Sequence, residues 1–521
     1  MYSSESIGSA LQERVQGEVR TDERTLARHA TDQSMYEVRP LAVVHPRDLD
    51  DVVAVVRFAR EAGVPLTPRG RGSGTAGAAL GRGILLSFAR PCPMERILGF
   101  EERDGEPRAT VEPGLLHDDL QGFLRERGLY LPADPSSGAI SLLGGNVATK
   151  ASGPHALKHG SVDRYLRHVQ FVTATGQVVD TVDETSIPGS LREGVLALRD
   201  DVLGDAGAVQ RLEARVDMKL ASGYNLFTFL RHRQVGEMVA QLLVGSVGTL
   251  GVVTRATLRA EPYVEGKATT LLYFRDLAQA GEAVLHIKAL DVAAIEIVNH
   301  TSLTIVKERR SDLPMPEGEA HMLLVEYEGP ERYDQIAEVE RLVRANGYDL
   351  AGPLVSVEDE EERERLWKVR KALLPTVRAY RRDRKALSVV NDVGVDVAHL
   401  ADLIRDVEAI FARLGLVAAI YGHAGSGNLH FRPLFDVGDP DLRSLLTCVA
   451  EEVYGTVLRY DGTITAEHGM GRLRAPFLQR EWGPTMTGHM RRVKAVFDPD
   501  DVLNPEVMFS DRALTDDMKP L

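Results

Sequence analysis

Cysteine is nearly missing: 521 residues contain Cys92 and Cys448 and no Cys-x-x-Cys pair. That excludes a disulfide framework, a thiolate zinc site and an iron–sulfur cluster held by four protein thiolates. The compartment reads as reducing. A basic excess is missing as well. Lys plus Arg number 62 against 76 Asp plus Glu, a net charge of −14, which is not the footprint of a nucleic-acid binder. Long hydrophobic runs are also lacking. The uncharged stretch 238–254 is broken by Gly245, Gly248 and Gly251 and is too short to span a bilayer comfortably. MYSSESIGSALQERVQGEVR at the start has no apolar segment and is no secretory signal. The expectation is a cytoplasmic protein, peripheral to a membrane at most, with no transmembrane segment and no nucleic-acid partner.

What is present is an ordinary globular composition over a length that predicts two to four domains. Polar, helical pieces (LQERVQG, ERTLARHA) lead into βαβ-like units: LAVVHP, a helix over 49–62 and VPLTP, then RATVEPG, a helix near 118–127 and LYLPADP. LRHVQFVTATGQVVDT reads as a hairpin turning at Thr175-Gly176. Residues 189–220 read as a charged helical insertion. The style changes near residue 263, where KATTLLYF, DLAQAGEAVLHIKAL and AAIEIVN begin a new α+β unit. The expected division is 1–262, 263–490 and a C-terminal segment 491–521 that returns to the first domain.

Gly72-x-Gly74-x-x-Gly77 matches a dinucleotide fingerprint by letter, but Gly81 and Gly83 forbid the helix that a Rossmann unit needs, and ILLSF starts a strand at once. The better reading is a long loop whose bare amides form a concave donor array for a diphosphate, with Arg69 and Arg71 adding charge. SLLGGNVATKASGPHALKHG is a second glycine-rich segment. Thr149 replaces the glycine a Walker loop requires before Lys150, and Gly153-Pro154 and Gly160 leave no stable helix for a His155/His159 metal pair. GSVGTLG at 245–251 is the third.

Late in the chain, YGHAGSGNLH is followed by AEHG. VAAIYG and NLHFRP read as two strands joined by a Gly-Ser-Gly-Asn turn, which brings His423 and His430 together. Two imidazoles with the Glu467 carboxylate form a usual first-row metal set with open positions. Two hydrogen-bonded turn histidines and a helix-capping glutamate remain the bland alternative.

RGRGSGTAG, VEPG, ADPSS, LGGNVATKASGPHALKHG and GSVGTLGVVTRATL, in that order, resemble the FAD-binding domain of vanillyl-alcohol-oxidase-type flavoproteins. Within that superfamily the chain resembles the FAD-linked D-2-hydroxyacid dehydrogenases: D-lactate dehydrogenase, the glycolate oxidase flavin subunit and D-2-hydroxyglutarate dehydrogenase. The resemblance implies an α+β, two-domain fold with a separate substrate and metal (cap) domain. It implies that Pro68, Arg69, Gly70, Arg71, Gly72, Ser73, Gly74 and Gly77 wrap the FAD diphosphate. Pro135, Gly144, Gly145, Asn146 and Gly153 would line the ribityl and flavin, with Gly248, Val252, Glu467 and Asn504 beside the cofactor. Ser73 stands where many relatives carry the tethering histidine, so FAD is expected to be non-covalent.

His423, His430 and Glu467 match the family's metal ligands, usually Zn or Mn, and His468 matches its catalytic base, expected to be poised near neutral pH. Arg370, in Trp367-x-x-Arg370, would grip the substrate carboxylate; Lys385 and Arg432 are weaker substrate candidates, Arg432 as a second cation suited to a dicarboxylate. Ser426 departs from the acid many relatives carry there, which puts tuning of the metal in doubt. The implied reaction oxidises a D-2-hydroxy acid to the 2-oxo acid by hydride transfer to flavin. The rivals are a flavin oxidase of another alcohol, a sugar, a phenol or an ether lipid, and a catalytically dead FAD-binding protein. With no cluster of its own, the chain needs a separate electron acceptor: an iron–sulfur subunit, an electron-transfer flavoprotein, a quinone, a cytochrome or oxygen. A homodimer is compatible with the sequence.

Overall fold

The computed structural model describes residues 3–310, 312–313, 315–316 and 318–520. Strand Ala42–His45, helix Leu49–Ala62 and strand Leu66–Arg69 form as the periodicity predicts. Asp48 caps the helix by accepting from the Asp51 amide, Gly63 ends it at φ 61°, and Val52, Val55, Val56 and Ala59 bury against the strands. Strand Ile84–Ser87 lies between the two strands and parallel to both, with Glu18–Arg20 antiparallel at the edge. Between Arg69 and Ile84 there is neither helix nor strand. The glycine-rich segment is therefore a long loop bridging two parallel strands.

Two early expectations change. The LQERVQG helix is instead Ser4–Gln12, because the Asp51 carboxylate captures the amides of Gln16, Gly17 and Arg47 at 2.8 Å each. The second βαβ-like group is not one either. Strand Glu106–Val111 sits in a five-stranded antiparallel sheet between Ile97–Arg103 and Val252–Arg259, and Leu129–Tyr130 pairs elsewhere, with Glu261–Pro262. The same sheet ends in the hairpin Leu166–Val172/Val178–Asp180, whose turn carries Gly176 at φ 75°. Helices Gly189–Gly204 and Ala206–Glu213 fill the charged stretch.

From Lys267 the chain builds a larger antiparallel sheet. Its strands run in the order Val355–Val357, Lys267–Phe274, His321–Glu328, Ala294–Val298, Ala418–His423, Asn428–Asp436 and Arg384–Ala386, with Val393–Gly394 also pairing to Asn428–Asp436. One face packs on helices Leu277–Lys288, Leu400–Arg413 and Leu442–Arg459, the other on His300–Arg309 and Glu360–Arg378. Burial on both faces explains why AIEIV and MLLVEYE read as continuous apolar runs rather than alternating ones.

The return to the first part begins early: Met470, Leu478, Trp482, Met486, Met490 and Val493 join the core of the five-stranded sheet. The helical stretch Leu478–Phe497 is kinked at Gly483 (φ 76°), just before Pro484.

Candidate functional site

A cavity of about 980 Å³ opens between the glycine-loop side and the large sheet. That is the upper end of the range for small-molecule and cofactor sites. Its first wall is made of main chain. The carbonyls of the 70–83 loop are drawn outward: Gly74 O accepts from the Gln33 amide, Ala76 O from Leu473, Ala78 O from Asn504, Ala79 O from Arg69 and Leu80 O from Arg472. Among the described residues, none of the amides of 70–76 donates to another group of the chain. Acceptors facing out and donors left free define a cradle for a polyanion such as a diphosphate.

Pro68, Gly70, Arg71, Gly72, Ser73, Gly74, Pro135, Gly144, Gly145, Asn146 and Gly248 all line this cavity. Arg69 reaches it too, but its buried guanidinium donates to the carbonyls of His29, Thr31 and Ala79. Its charge is spent holding the loop rather than offered to a ligand. Four other expected cofactor residues do not line the cavity. Gly77 packs on Tyr36, and Gly153 is pressed against Asp134 O, where a Cβ would come within 2.0 Å. Strand alternation turns Val252 into the core and leaves Gly251 and Val253 facing the cavity. Asn504 staples two loops, its amide donating to Ala78 O and Val247 O.

The opposite wall is made of side chains. Ala418–His423 and Asn428–Asp436 form the expected hairpin, with Tyr421 opposite His430 and the two histidine rings 5.4 Å apart. His423 Nε2 lies 3.1 Å and His430 Nε2 3.4 Å from one oxygen of Glu467, Oε1. Each ring uses its Nδ1 elsewhere. That of His423 meets Glu296 Oε1 at 2.6 Å, and that of His430 meets the Asn391 carbonyl at 2.7 Å. With both protons on Nδ1, two lone pairs and a carboxylate oxygen face one another, an arrangement that calls for a cation among them. The electrostatics agree. Burial opposes charge on His423, yet Glu296 and Glu467 outweigh it and raise its affinity for a proton. Glu467 is held well below the usual carboxylate range despite its burial, by His423 and Lys219. Ser426, the sequence departure, donates to the His423 carbonyl at 3.1 Å.

His468 stacks on His430 with ring centres 5.2 Å apart, its Nε2 3.7 Å from Glu467 Oε1. Burial pushes it down to about 3 against the pull of Asp392 and Glu467. It is thus a neutral imidazole rather than one poised near pH 7. Asp392, which the sequence reading missed, lies within 4.8 Å of His430, Glu467 and His468. Its oxygens are already occupied by Thr465 Oγ1, Asn428 Nδ2 and the amides of Glu467 and His468, so it brackets the site rather than offering a ligand. Lys219, also missed, meets Glu467 Oε2 at 2.7 Å and Asn428 Oδ1 at 3.2 Å.

Helix Glu360–Arg378 supplies a third wall: Arg363, Trp367, Arg370, Lys371, Leu374 and Arg378 recur at helical spacing along the cavity. Arg370 is buried, lies 5.0 Å over Tyr421, and pairs through Nε with Glu296, the same carboxylate that holds His423. Its two terminal nitrogens have no partner among the described residues. Arg432 lines the cavity two residues beyond His430. Lys385 does not. It pairs with Phe435 in the ladder, and directly opposed residues share a face, so it lies on the side of the sheet away from His430, Arg432 and Leu434.

His155 and His159, set aside as a metal pair, sit on a single helical turn, Ala156–His159, and at its cap. They face different carboxylates. His155 bridges Asp134 (2.5 Å) to Glu326 (2.8 Å), and His159 meets Glu328.

The cavity thus has a main-chain anion cradle on one side and a histidine–carboxylate cluster on the other. Solved structures share this fold at low identity: 4-ethylphenol oxidase from Gulosibacter chungangensis (TM-score 0.68, 18% identity, 96% of this chain and 97% of that one) and alkyldihydroxyacetonephosphate synthase (TM-score 0.63, 18% identity, 94% and 82%). Residues 40–182 match the model of an FAD binding domain and 265–508 that of the C-terminal domain of FAD linked oxidases. The chain thus carries an FAD binding domain and the C-terminal domain of FAD linked oxidases, and is an FAD-linked oxidoreductase. Similar curated proteins include glycolate oxidase subunit GlcD of Bacillus subtilis (28% identity, 91% of this chain, 90% of that protein) and probable mitochondrial D-lactate dehydrogenase of Danio rerio (28%, 96%, 88%). D-2-hydroxyglutarate dehydrogenase of Stutzerimonas stutzeri is 29% identical over 95% of this chain and 96% of that protein. No helix among the described residues is long and apolar enough to cross a membrane.

Proposed function

We propose that this protein is an FAD- and metal-dependent dehydrogenase that oxidises a D-2-hydroxy acid to the 2-oxo acid. The observation that carries the reading is the meeting of His423, His430, Glu467 and His468 in the cavity that the free loop amides face. Residues 68–74, Pro135, Gly144, Gly145, Asn146 and Gly248 would hold FAD without a covalent link. His423, His430 and Glu467 would hold a Zn or Mn ion. When bound, FAD supplies a two-electron acceptor and the ion supplies a Lewis acid.

The chain's own residues do the rest. The free terminal nitrogens of Arg370 form a fork for the substrate carboxylate, fixed in place by Glu296. His468 takes the hydroxyl proton at Nε2. That role requires the ring proton on Nδ1, which faces the Asn391 side-chain amide at 3.3 Å and the Asp392 carboxylate at 3.7 Å. Because burial keeps His468 neutral, the base is ready without prior deprotonation. The chain has no cluster-forming cysteines, so the electrons pass onward to a separate acceptor: an iron–sulfur subunit, an electron-transfer flavoprotein, a quinone, a cytochrome or oxygen.

The test is anaerobic flavin bleaching by a panel of D- and L-2-hydroxy acids, with metal content measured on the same sample. Bleaching by D acids, and a flavin released by acid precipitation, are the expected results. A yellow protein that no hydroxy acid reduces would refute the proposal.

A further inference from the structure

Two guanidiniums in the cavity lack a counter-ion. Arg432 is 1% exposed; Nη1 donates to Ser388 Oγ at 3.0 Å, while buried Nε has no partner. Arg378 binds Gln33, through Nη2 to its carbonyl at 3.0 Å and through Nη1 to its side-chain oxygen. Neither forms an ion pair with a carboxylate among the described residues. The acid whose field reaches Arg378 is Asp32, which is engaged by Ser34 instead. The two cations feel each other: burial first, and Arg432 next, push Arg378 down to about 10. Buried like charges with no anion between them are costly, and a ligand anion removes that cost.

Arg370, by contrast, is already matched by Glu296 and keeps a fork for one carboxylate. Arg370 and Arg378 stand two turns apart on one helix wall, and Arg432 lines the same cavity from the strand, two residues beyond His430. From these positions we propose that Arg432 and Arg378 form a second anion subsite, so that the substrate is a 2-hydroxy acid carrying another anionic group at its far end. This rests on the hydroxy-acid reading above. Ser388 and Gln33 position the two arginines. The shared chemistry is a terminal anion, either a carboxylate or a phosphate monoester.

The experiment uses the FAD-loaded, metal-replete protein. The ratio of kcat/KM is measured for 2-hydroxy acids of equal chain length ending in methyl, carboxylate or phosphate. Binding of glutarate, propionate and inorganic phosphate is followed in parallel by the change in flavin absorbance. The expected result is a preference for the doubly anionic acid, with the carboxylate and phosphate arms identifying the group. Arg432→Gln and Arg378→Gln are each expected to lower that preference on the order of 100-fold, and Arg432→Lys to restore part of it.

Oxidation of the methyl-ended acids with no gain from a second anion would overturn the subsite and leave the hydroxy-acid reading standing. If no hydroxy acid is oxidised, the hydroxy-acid reading fails, and binding alone decides the subsite. Glutarate or phosphate binding that is lost in Arg432→Gln supports it, and the absence of such binding overturns it. Unchanged discrimination in both Gln variants, with the free protein's flavin spectrum shifted in Arg378→Gln, also overturns it and assigns that cation to the cofactor.

Discussion

The two walls of the cavity bind by opposite means. On the glycine-loop side the donors are main-chain amides, and side chains such as those of Arg69 and Asn504 turn away to hold the loops. On the sheet side every group that faces the chemistry is a side chain, each oriented by a buried partner: Glu296 for His423 and Arg370, the Asn391 carbonyl for His430, Lys219 for Glu467. A backbone site depends on loop shape and tolerates changes of side chain. A side-chain site depends on particular atoms and tolerates almost none. Substitutions on the two walls should therefore fail in different ways.

The largest expected effect is on the side-chain wall. His468→Ala should slow substrate-driven flavin reduction by about 10²–10⁴-fold while the protein stays yellow; rapid reduction in stopped flow would remove the base from His468. Next is the metal. Chelator treatment, or Glu467→Gln, should empty the centre and abolish hydroxy-acid oxidation without releasing FAD, and re-addition of Zn or Mn should restore the chelated protein alone. Loss of flavin together with metal, read from the visible spectrum, would erase the contrast between the walls.

How far these walls were legible differs by kind of residue. The His423–His430 hairpin was readable because both halves of the pair lie on one short turn. Glu296 and Asp392 were overlooked although a signal existed. Each is an acid inside an apolar run, AIEIV or SVVNDV, and a buried acid needs partners. Lys219 had no such signal, since it lies at the end of the charged insertion and meets Glu467 only through the fold. On the backbone wall the reading took in too much. Glycine spelling does not separate a glycine that admits a ligand, such as Gly74 with nothing near its missing Cβ, from one that admits neighbouring main chain, such as Gly153. The parallel unit at 42–69 followed from periodicity, whereas the pairing of Glu106–Val111 did not, because strand partners far along the chain leave no local mark.

A milder effect tests the backbone wall. Gly72 has φ 69°, and a Cβ there would lie 2.3 Å from Arg69 Nη2. Gly72→Ala should thus cost about 1–2 kcal/mol in loop strain and weaken FAD by roughly tenfold in a titration of the apoprotein, since 1.4 kcal/mol is one decade. Ser73→Ala should change it far less. Equal losses in both would mean that this wall, too, works through side chains.

The last effect, on stability rather than on catalysis or cofactor binding, concerns the seam between the walls. His155 joins Asp134 of the loop side to Glu326 of the large sheet, and Glu326 in turn accepts from Trp367 Nε1 at 2.6 Å on the helix that carries Arg370. Burial opposes the imidazolium, but the two carboxylates prevail and raise His155 to about 10. A group whose folded pKa lies above its unfolded value of 6.5 contributes fully below that value, and the contribution is lost as pH rises through the folded one. His155→Gln should therefore cost on the order of 2 kcal/mol at pH 6.5, since Lys267 and Arg363 share Glu326 and blunt the loss. The gap between wild type and variant should narrow between pH 7 and 10, as read from urea midpoints at each pH. A gap that stays constant or widens toward pH 10 would show that His155 holds the walls together as a neutral ring, and that the seam between them is not electrostatic.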